Sequence, residues 1–259
     1  MLKEETLFGT VDKVKNAIEL LRDLEPPEGY YLAFSGGKDS VVIKQLAIEA
    51  GVKFDAHYNN TTIDPPDLIR FIRKYHPDVE VHNPKMSFVW RLVEKGFPTR
   101  VSRWCCEEYK ERGGKGRTII TGIRAEESSK RAGRKLVEFC YKDKTKKYIN
   151  VIRNWTIGDV WEFIKQKALP YCKLYDMGWN RIGCLFCPMT NAKQRQIESN
   201  FYPRYKKLFK IAFKRLYEQK KQKGAKGVVD RWNDGEEMFE WWIGEYPTKE
   251  DPDQQVMFE

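Results

Sequence analysis

Tyr30-Tyr31-Leu32-Ala33-Phe34-Ser35-Gly36-Gly37-Lys38-Asp39-Ser40 is the stretch that decides how this chain folds. Five apolar residues run into a Ser-Gly-Gly turn. Residues 38–50 then carry apolar side chains at helical spacing, up to a stop at Gly51. The order is strand, glycine turn, helix. Backbone N–H groups at such a turn, with the positive end of the helix behind them, suit a phosphate. The spacing is not the Gly-x4-Gly-Lys-Ser/Thr of a Walker A loop, nor the Gly-x-Gly-x-x-Gly of a dinucleotide turn.

The same alternation continues downstream. Residues 53–58 read as a second strand, and Asp64-Pro65-Pro66 opens a helix through Tyr75, with proline suited to the first helical position. Residues 79–81, 117–123 and 148–152 read as further strands. A helix is expected over 88–94, and another from Thr156, where Asp159 three residues later makes a capping-box start. This predicts an α/β fold, a parallel sheet with helices on both faces and ligands at the carboxyl ends of the strands. Upstream, Leu7, Val11, Val14, Ile18 and Leu21 recur at helical spacing, so an opening helix capped by Thr10 is expected before Pro26-Pro27. Beyond Pro170 a Gly/Cys/Pro-rich loop spans 171–188, a basic aromatic helix runs from about 203 to 221, and an acidic tail follows a break at 224–227. The expected organisation is an N-terminal helix (1–27), a nucleotide-binding α/β domain (28–170), a cysteine loop with a basic helical extension (171–231) and an acidic tail (232–259).

Composition bounds the function. With 259 residues, 41% of them apolar, the chain can bury an ordinary core without disulfide staples. No apolar run approaches the roughly 20 residues of a membrane span, and the first 25 residues do not read as a signal peptide. A cytoplasmic protein is therefore expected, and no membrane partner. In that compartment paired cysteines signal metal or redox chemistry more often than disulfides. The net charge of +10 is unevenly placed: residues 204–226 hold ten bases and one acid, residues 130–147 hold eight bases and two acids, and residues 232–259 hold nine acids and one base. Such an excess suits an anionic partner, whether a nucleotide, a nucleic acid or the chain's own acidic end.

Ser35-Gly36-Gly37-Lys38-Asp39-Ser40 after a first strand resembles the PP-loop of the ATP pyrophosphatase superfamily, which cleaves ATP between its α- and β-phosphates. Further stretches narrow the resemblance to the phosphoadenosine phosphosulfate (PAPS) reductase-like branch, with its adenine nucleotide alpha hydrolase-like fold. They are Asn60-Thr61-Thr62-Ile63-Asp64-Pro65-Pro66, Thr121-Gly122-Ile123-Arg124-Ala125-Glu126-Glu127-Ser128, Asn154-Trp155-Thr156 and Asp159-Val160-Trp161. The resemblance implies ATP with Mg2+, or an adenylyl sulfate, as the nucleotide. It implies Ser35, Gly36, Gly37, Asp39, Ser40, Thr61 and Gly122 as nucleotide contacts. Lys38 and Arg124 are then the cationic catalytic groups, with Lys a point charge and Arg a bidentate fork. Asp39 and Asp64 are candidate Mg2+ contacts.

Four cysteines are the other chemical feature: Cys105-Cys106 and, after 77 intervening residues, Cys184-Leu185-Phe186-Cys187. Two pairs make a four-ligand set for a [4Fe–4S] cluster or a structural zinc, and buried thiols without a ligand are the bland alternative. Adjacent cysteines converge awkwardly on one zinc, whereas a cube offers separate irons. The arrangement resembles assimilatory adenylylsulfate (APS) reductases, which implies the cluster. Cys140 and Cys172 read as small buried hydrophobes. Of the three histidines, His57, His76 and His82, the first stands near a predicted strand end where it could approach an adenine, but a satisfied surface or core histidine is the favoured reading.

Reductases of the family carry a further catalytic cysteine in a C-terminal Glu-Cys-Gly-Leu/Ile-His segment, and no cysteine follows Cys187 in these 259 residues. The resemblance therefore favours a sulfurtransferase that adenylates an acceptor, as DNA phosphorothioation enzymes and tRNA thiolases do, fed by a sulfur-donor protein such as a cysteine desulfurase. APS or PAPS reduction with an external thiol, and a nucleotide- or nucleic-acid-binding module without turnover, are the alternatives. Tyr202, Tyr205, Phe209, Phe213 and Tyr217 alternate with Lys206, Lys207, Lys210, Lys214 and Arg215. That helix is either a core stripe with a solvated basic face or a surface for a tRNA or DNA acceptor.

Overall fold

The computed structural model describes residues 1–6 and 9–244, except for the side chain of Thr6. In chain order the elements are β1 (Lys3–Thr6), β2 (Gly9–Asp12), α1 (Lys13–Asp23), β3 (Tyr30–Ala33), α2 (Lys38–Ala50), β4 (Phe54–Asn59), α3 (Pro66–Tyr75) and β5 (Glu80–His82). They continue with α4 (Phe88–Lys95), a π-helical turn Cys106–Lys110, β6 (Thr118–Thr121), a 3-10 turn Ala125–Glu127, α5 (Ser129–Ala132), β7 (Val137–Phe139) and β8 (Lys147–Asn150). The last are α6 (Ile157–Gln166), α7 (Ala192–Phe201), α8 (Pro203–Gln222), α9 (Lys226–Val229) and α10 (Gly235–Ile243). Among the described residues no helix is long and apolar enough to cross a membrane.

Contacts divide the chain into two compact units that interleave along the sequence rather than following contiguous blocks. The first comprises Met1–Asn60, Asp64–Asn83 and Lys110–Gly183; the second comprises Thr61–Ile63, Pro84–Tyr109 and the chain from Cys184 on.

The first unit is built on a six-stranded sheet of order β5-β4-β3-β6-β8-β7, parallel except for β7, which runs antiparallel to β8. The α/β reading of the sequence is therefore what the chain adopts. The registers align Ala56, Leu32, Ile120 and Ile149 in one row, and all four are buried. Because side chains alternate across a strand, the opposite face carries the row Asp55, Tyr31, Ile119 and Tyr148. α2 packs on α1 and on α6. α6 starts with the expected capping box, in which Thr156 Oγ1 accepts the Asp159 N–H and Asp159 accepts the Thr156 N–H. Asp159 also receives Lys13 Nζ at 2.8 Å. Burial opposes ionisation of this carboxyl, yet the Lys13 hydrogen bond, with those of the cap, holds it below the ordinary range.

Two expectations need correction here. The opening helix begins only at Lys13, with Asp12 as its N-cap in place of Thr10. Residues ahead of it pair as an antiparallel hairpin, Lys3↔Asp12 to Thr6↔Gly9. Strand pairing took Val11, whose side chain fits a helical stripe equally well; Leu7 lies outside the described residues. β7 was not foreseen either, because three residues set among bases carry no usable period.

The second unit is helical. α8 packs against α4 and α10. Phe209 and Phe213 are wholly buried, Tyr217 is buried too, and Phe209 and Phe213 contact the rings of Phe239 and Trp242. The aromatic stripe of the basic helix is thus core. The expected acidic tail is likewise corrected over residues 235–243, which form α10. Its acids Glu236 and Glu240 both take Lys210 of α8, while Met238, Phe239, Trp242 and Ile243 are buried. The remainder of that tail, residues 245–259, lies outside the described residues.

Candidate functional site

In the first unit β3 delivers the chain to Ser35 and α2 starts at Lys38, with Gly37 as N-cap. Gly36 holds φ at 73°, and a Cβ there would stand 2.7 Å from Leu68 Cδ1 and 2.8 Å from Ile72 Cδ1 of α3. Only glycine allows this turn to sit so close to the helix. Ser40 Oγ donates to the Gly37 carbonyl at 2.7 Å, and Ser35 Oγ accepts the Gly37 N–H at 3.4 Å, so both serines shape the turn.

Lys38 and Arg124 meet at one carboxylate. Lys38 Nζ lies 3.2 Å from Asp39 Oδ2 and Arg124 Nε lies 2.7 Å from Asp39 Oδ1. Each cation is only 4% exposed, so neither can be dismissed as a solvated surface charge. Burial works against the Arg124 charge, but the adjacent Asp39 carboxylate outweighs it and raises the guanidinium pKa. Arg124 Nη1 also reaches Glu126 Oε2 at 2.7 Å, while Glu127 accepts the Arg124 N–H in a turn cap. Gly122 is placed where a Cβ would press on the Asp39 backbone at 3.1 Å, which brings the end of β6 against the start of α2.

Two neighbours of the turn could not be foreseen from the sequence. Tyr175 Oη accepts the Lys38 N–H at 3.0 Å, its ring lies under Lys38 Nζ, and the Asn180 carbonyl accepts from the same Nζ at 3.4 Å. Burial raises the Tyr175 phenol pKa, keeping the hydroxyl protonated. Trp161, from the expected tryptophan motif, packs edge-on against Tyr171 and Tyr175. Both tyrosines come from a loop with no local period, so only the aromatic density hinted at them. Asp64, expected as a Mg2+ contact, is buried and accepts Tyr58 Oη at 2.5 Å.

The four cysteines all belong to the second unit. Hydrogen bonding from Cys106, burial, and then the sulfurs of Cys106, Cys184 and Cys187 raise the Cys105 thiol pKa, which shows the two pairs brought together. Cys106 opens the π-helical turn, whose Tyr109 Oη donates to the Met86 carbonyl at 3.0 Å. Thr61, expected at the nucleotide, meets one of the cysteines: its Oγ1 accepts Cys184 Sγ at 3.4 Å. The Leu185 N–H donates to the Ile63 carbonyl at 2.9 Å, and Thr62 Oγ1 accepts the first N–H of α4. Between the two downstream cysteines Phe186 adopts φ 57°, and its N–H donates to Glu198 Oε2 at 2.6 Å. Glu198 is 3% exposed, and burial pushes its carboxyl up to about 7. Sequence reading missed Glu198, since one acid on a polar helix carries no signal. Four sulfurs so placed form a soft donor set that suits a thiolate-bound metal centre. Cys172 is buried, as a small hydrophobe is, whereas Cys140 is only half-buried.

His57 stacks on Tyr31 with ring centroids 4.1 Å apart and meets His82 across the sheet. His76 is buried between Phe34 and Phe71.

A model of the phosphoadenosine phosphosulfate reductase domain matches residues 29–190. The protein MJ0066 of Methanocaldococcus jannaschii is 29% identical over 74% of this chain and 44% of its own length, so the chain spans about half of that relative. The adenosine 5'-phosphosulfate reductase of Staphylococcus epidermidis is 30% identical over 68% of this chain and 78% of its own length. Among solved structures, the phosphoadenylyl-sulfate (PAPS) reductase of Candida auris in a phosphate complex superposes with a TM-score of 0.52. It covers 65% of this chain and 88% of that one at 22% identity, which shows a shared fold.

Proposed function

This chain belongs to the phosphoadenosine phosphosulfate reductase domain family, and from that premise we propose an ATP-dependent enzyme of sulfur chemistry that adenylates an acceptor for sulfur transfer. The observation that carries the reading is the meeting of Lys38 and Arg124 on Asp39 beside the glycine turn. Two buried cations sharing one carboxylate can exchange it for phosphate oxygens without being taken out of water a second time. Arg124 offers a fork to the phosphates, Lys38 a point charge, and the start of α2 its N–H groups.

In the first half-reaction an acceptor oxygen attacks the α-phosphorus of ATP. The bond to the β-phosphate bridging oxygen breaks, and pyrophosphate leaves with that electron pair. In the second, a sulfide-level nucleophile forms the bond to the acceptor and AMP departs with its oxygen. Splitting the substitution replaces a poor leaving group by a good one. Mg2+ and the two cations offset the charge on the phosphates. A [4Fe–4S] cluster, which Cys105, Cys106, Cys184 and Cys187 would hold, would have a cysteine on each iron and so would position or tune the sulfur rather than carry it. Thr61 and Glu198 fix the Cys184–Cys187 loop for that purpose.

Under anaerobic conditions the protein should release pyrophosphate from ATP in the presence of an acceptor tRNA or DNA, and Lys38→Ala should abolish it. Inactivity with every acceptor offered would defeat the reading. Iron and acid-labile sulfide should be present at four each per chain; zinc alone would remove the cluster. The Staphylococcus relative supports a second reading, reduction of APS by an external thiol. Sulfite formation with thioredoxin or glutathione, without pyrophosphate release, would select it.

A further inference from the structure

A parallel sheet of an α/β fold is normally apolar on both faces. One face of this sheet is not. Asp55 and His57 lie two apart on β4, and Glu80 and His82 two apart on the edge strand β5. The register pairs His57 with Glu80 and Asn59 with His82, so all four side chains leave the sheet on one side. His57 Nδ1 stands 2.8 Å from His82 Nε2 and 3.3 Å from Glu80 Oε2.

The opposite nitrogen of His57 is committed. Its Nε2 bonds Asp55 Oδ2, and Arg117 Nη2 holds the same carboxylate at 2.5 Å through Oδ1. With Arg117 on one oxygen of Asp55 and His57 Nε2 on the other, Nδ1 is the ring nitrogen of His57 that faces Glu80 and His82. Tyr31 stacks on the His57 ring and fixes its plane. A carboxylate behind an imidazole whose free nitrogen faces a second imidazole and a second carboxylate is the support that metal-binding histidines use.

We propose that His57, Glu80 and His82 form a binding site for a borderline divalent transition metal such as Zn2+, oriented by Asp55 and Arg117. Two imidazoles and a carboxylate are the ligand set such an ion takes, with a coordination position left over for water or a further ligand. The three ligand atoms all lie within 4.8 Å of one another. His57 is buried while Glu80 is exposed, which gives the ion a fixed anchor and an open route from solvent. This site is independent of the cysteines and of the nucleotide turn.

The test is Co2+ and Zn2+ titration of the full-length protein, with wild type compared against His82→Ala, Glu80→Gln and Asp55→Asn. Co2+ should give visible d–d bands without a thiolate charge-transfer band, in a stoichiometry one equivalent above that of either His82→Ala or Glu80→Gln. Both of those changes are at exposed or half-exposed side chains, so their metal-free thermal unfolding should match wild type. Asp55→Asn should keep the equivalent but weaken it about 10- to 100-fold. Only thiolate-type Co2+ spectra in the wild type, or a stoichiometry unchanged in His82→Ala and Glu80→Gln, would overturn the proposal.

Discussion

Asp39 is a small residue with a large role: it lies between two buried cations, and the geometry ranks them. Arg124 donates from Nε to Asp39 and from Nη1 to Glu126, so its fork is fixed at two points, whereas Lys38 is held by Asp39 and the Asn180 carbonyl. Arg124→Lys keeps the charge but cannot span both acids. Loss of one charge-assisted hydrogen bond of about 1.5–3 kcal/mol should raise the apparent Kd for ATP roughly 10- to 100-fold, read by calorimetry. A second residue-scale prediction concerns His76. Burial first, and then the Lys44 ammonium 3.2 Å away, lower its pKa from 6.5 to about 4. The native imidazole is therefore neutral where the unfolded one is already charged. The folded state binds fewer protons between pH 6.5 and 4, so His76 contributes stability above pH 6.5 that is lost as pH falls toward 4. His76→Gln should flatten that part of the pH dependence of the urea midpoint. An equally steep loss in the variant would assign the effect elsewhere.

At the scale of elements, the packing of α8 and α10 depends on one residue without a side chain. A Cβ at Gly235 would stand 2.4 Å from Lys214 Cα and 2.5 Å from its nitrogen. Backbone cannot yield as a flexible side chain does, so Gly235→Ala should destabilise the second unit by about 1–3 kcal/mol, the usual cost of overpacking. Chemical unfolding followed by tryptophan fluorescence reads it, since Trp242 lies in that core. Asp234 caps α10 by accepting the Glu236 and Glu237 N–H groups at 2.8 Å each, and Asp234→Ala should cost about 1 kcal/mol. In the sequence this segment is a run of acids. Its helical period was hidden because charge dominated the reading, while Met238, Phe239, Trp242 and Ile243 marked the buried face all along.

For the whole molecule, the surplus of positive charge is what remains to be assigned. Burial of Phe209, Phe213 and Tyr217 leaves Lys207, Lys214 and Arg215 exposed on the other side of α8, and Lys210 neutralised by Glu236 and Glu240. If that face meets a nucleic acid, binding of duplex DNA should fall with salt, with a log–log slope of about −0.9 per phosphate contacted. Reversing Lys207, Lys214 and Arg215 to glutamate should make the slope markedly shallower. Salt-independent binding, or a slope unaffected by the reversal, would show the face to be merely solvated.

Local order was legible because it is written locally. The apolar run at 30–34, Gly36-Gly37 and the Thr156 cap each fix their own backbone within a few residues, so strand, turn and helix could be read one after another. Lys38 and Arg124 could be named because their local motifs resemble those of a known family, and the four cysteines because two close pairs of soft ligands stand out in any sequence. What the sequence could not contain was pairing between distant segments. Tyr175 on the Lys38 amide, Thr61 on Cys184, Glu198 beneath the cysteine loop and His57 opposite His82 are each set by strand register or helix packing. Those contacts repay the entropy of closing long loops only when the entire sheet or bundle forms, so they belong to the tertiary structure alone.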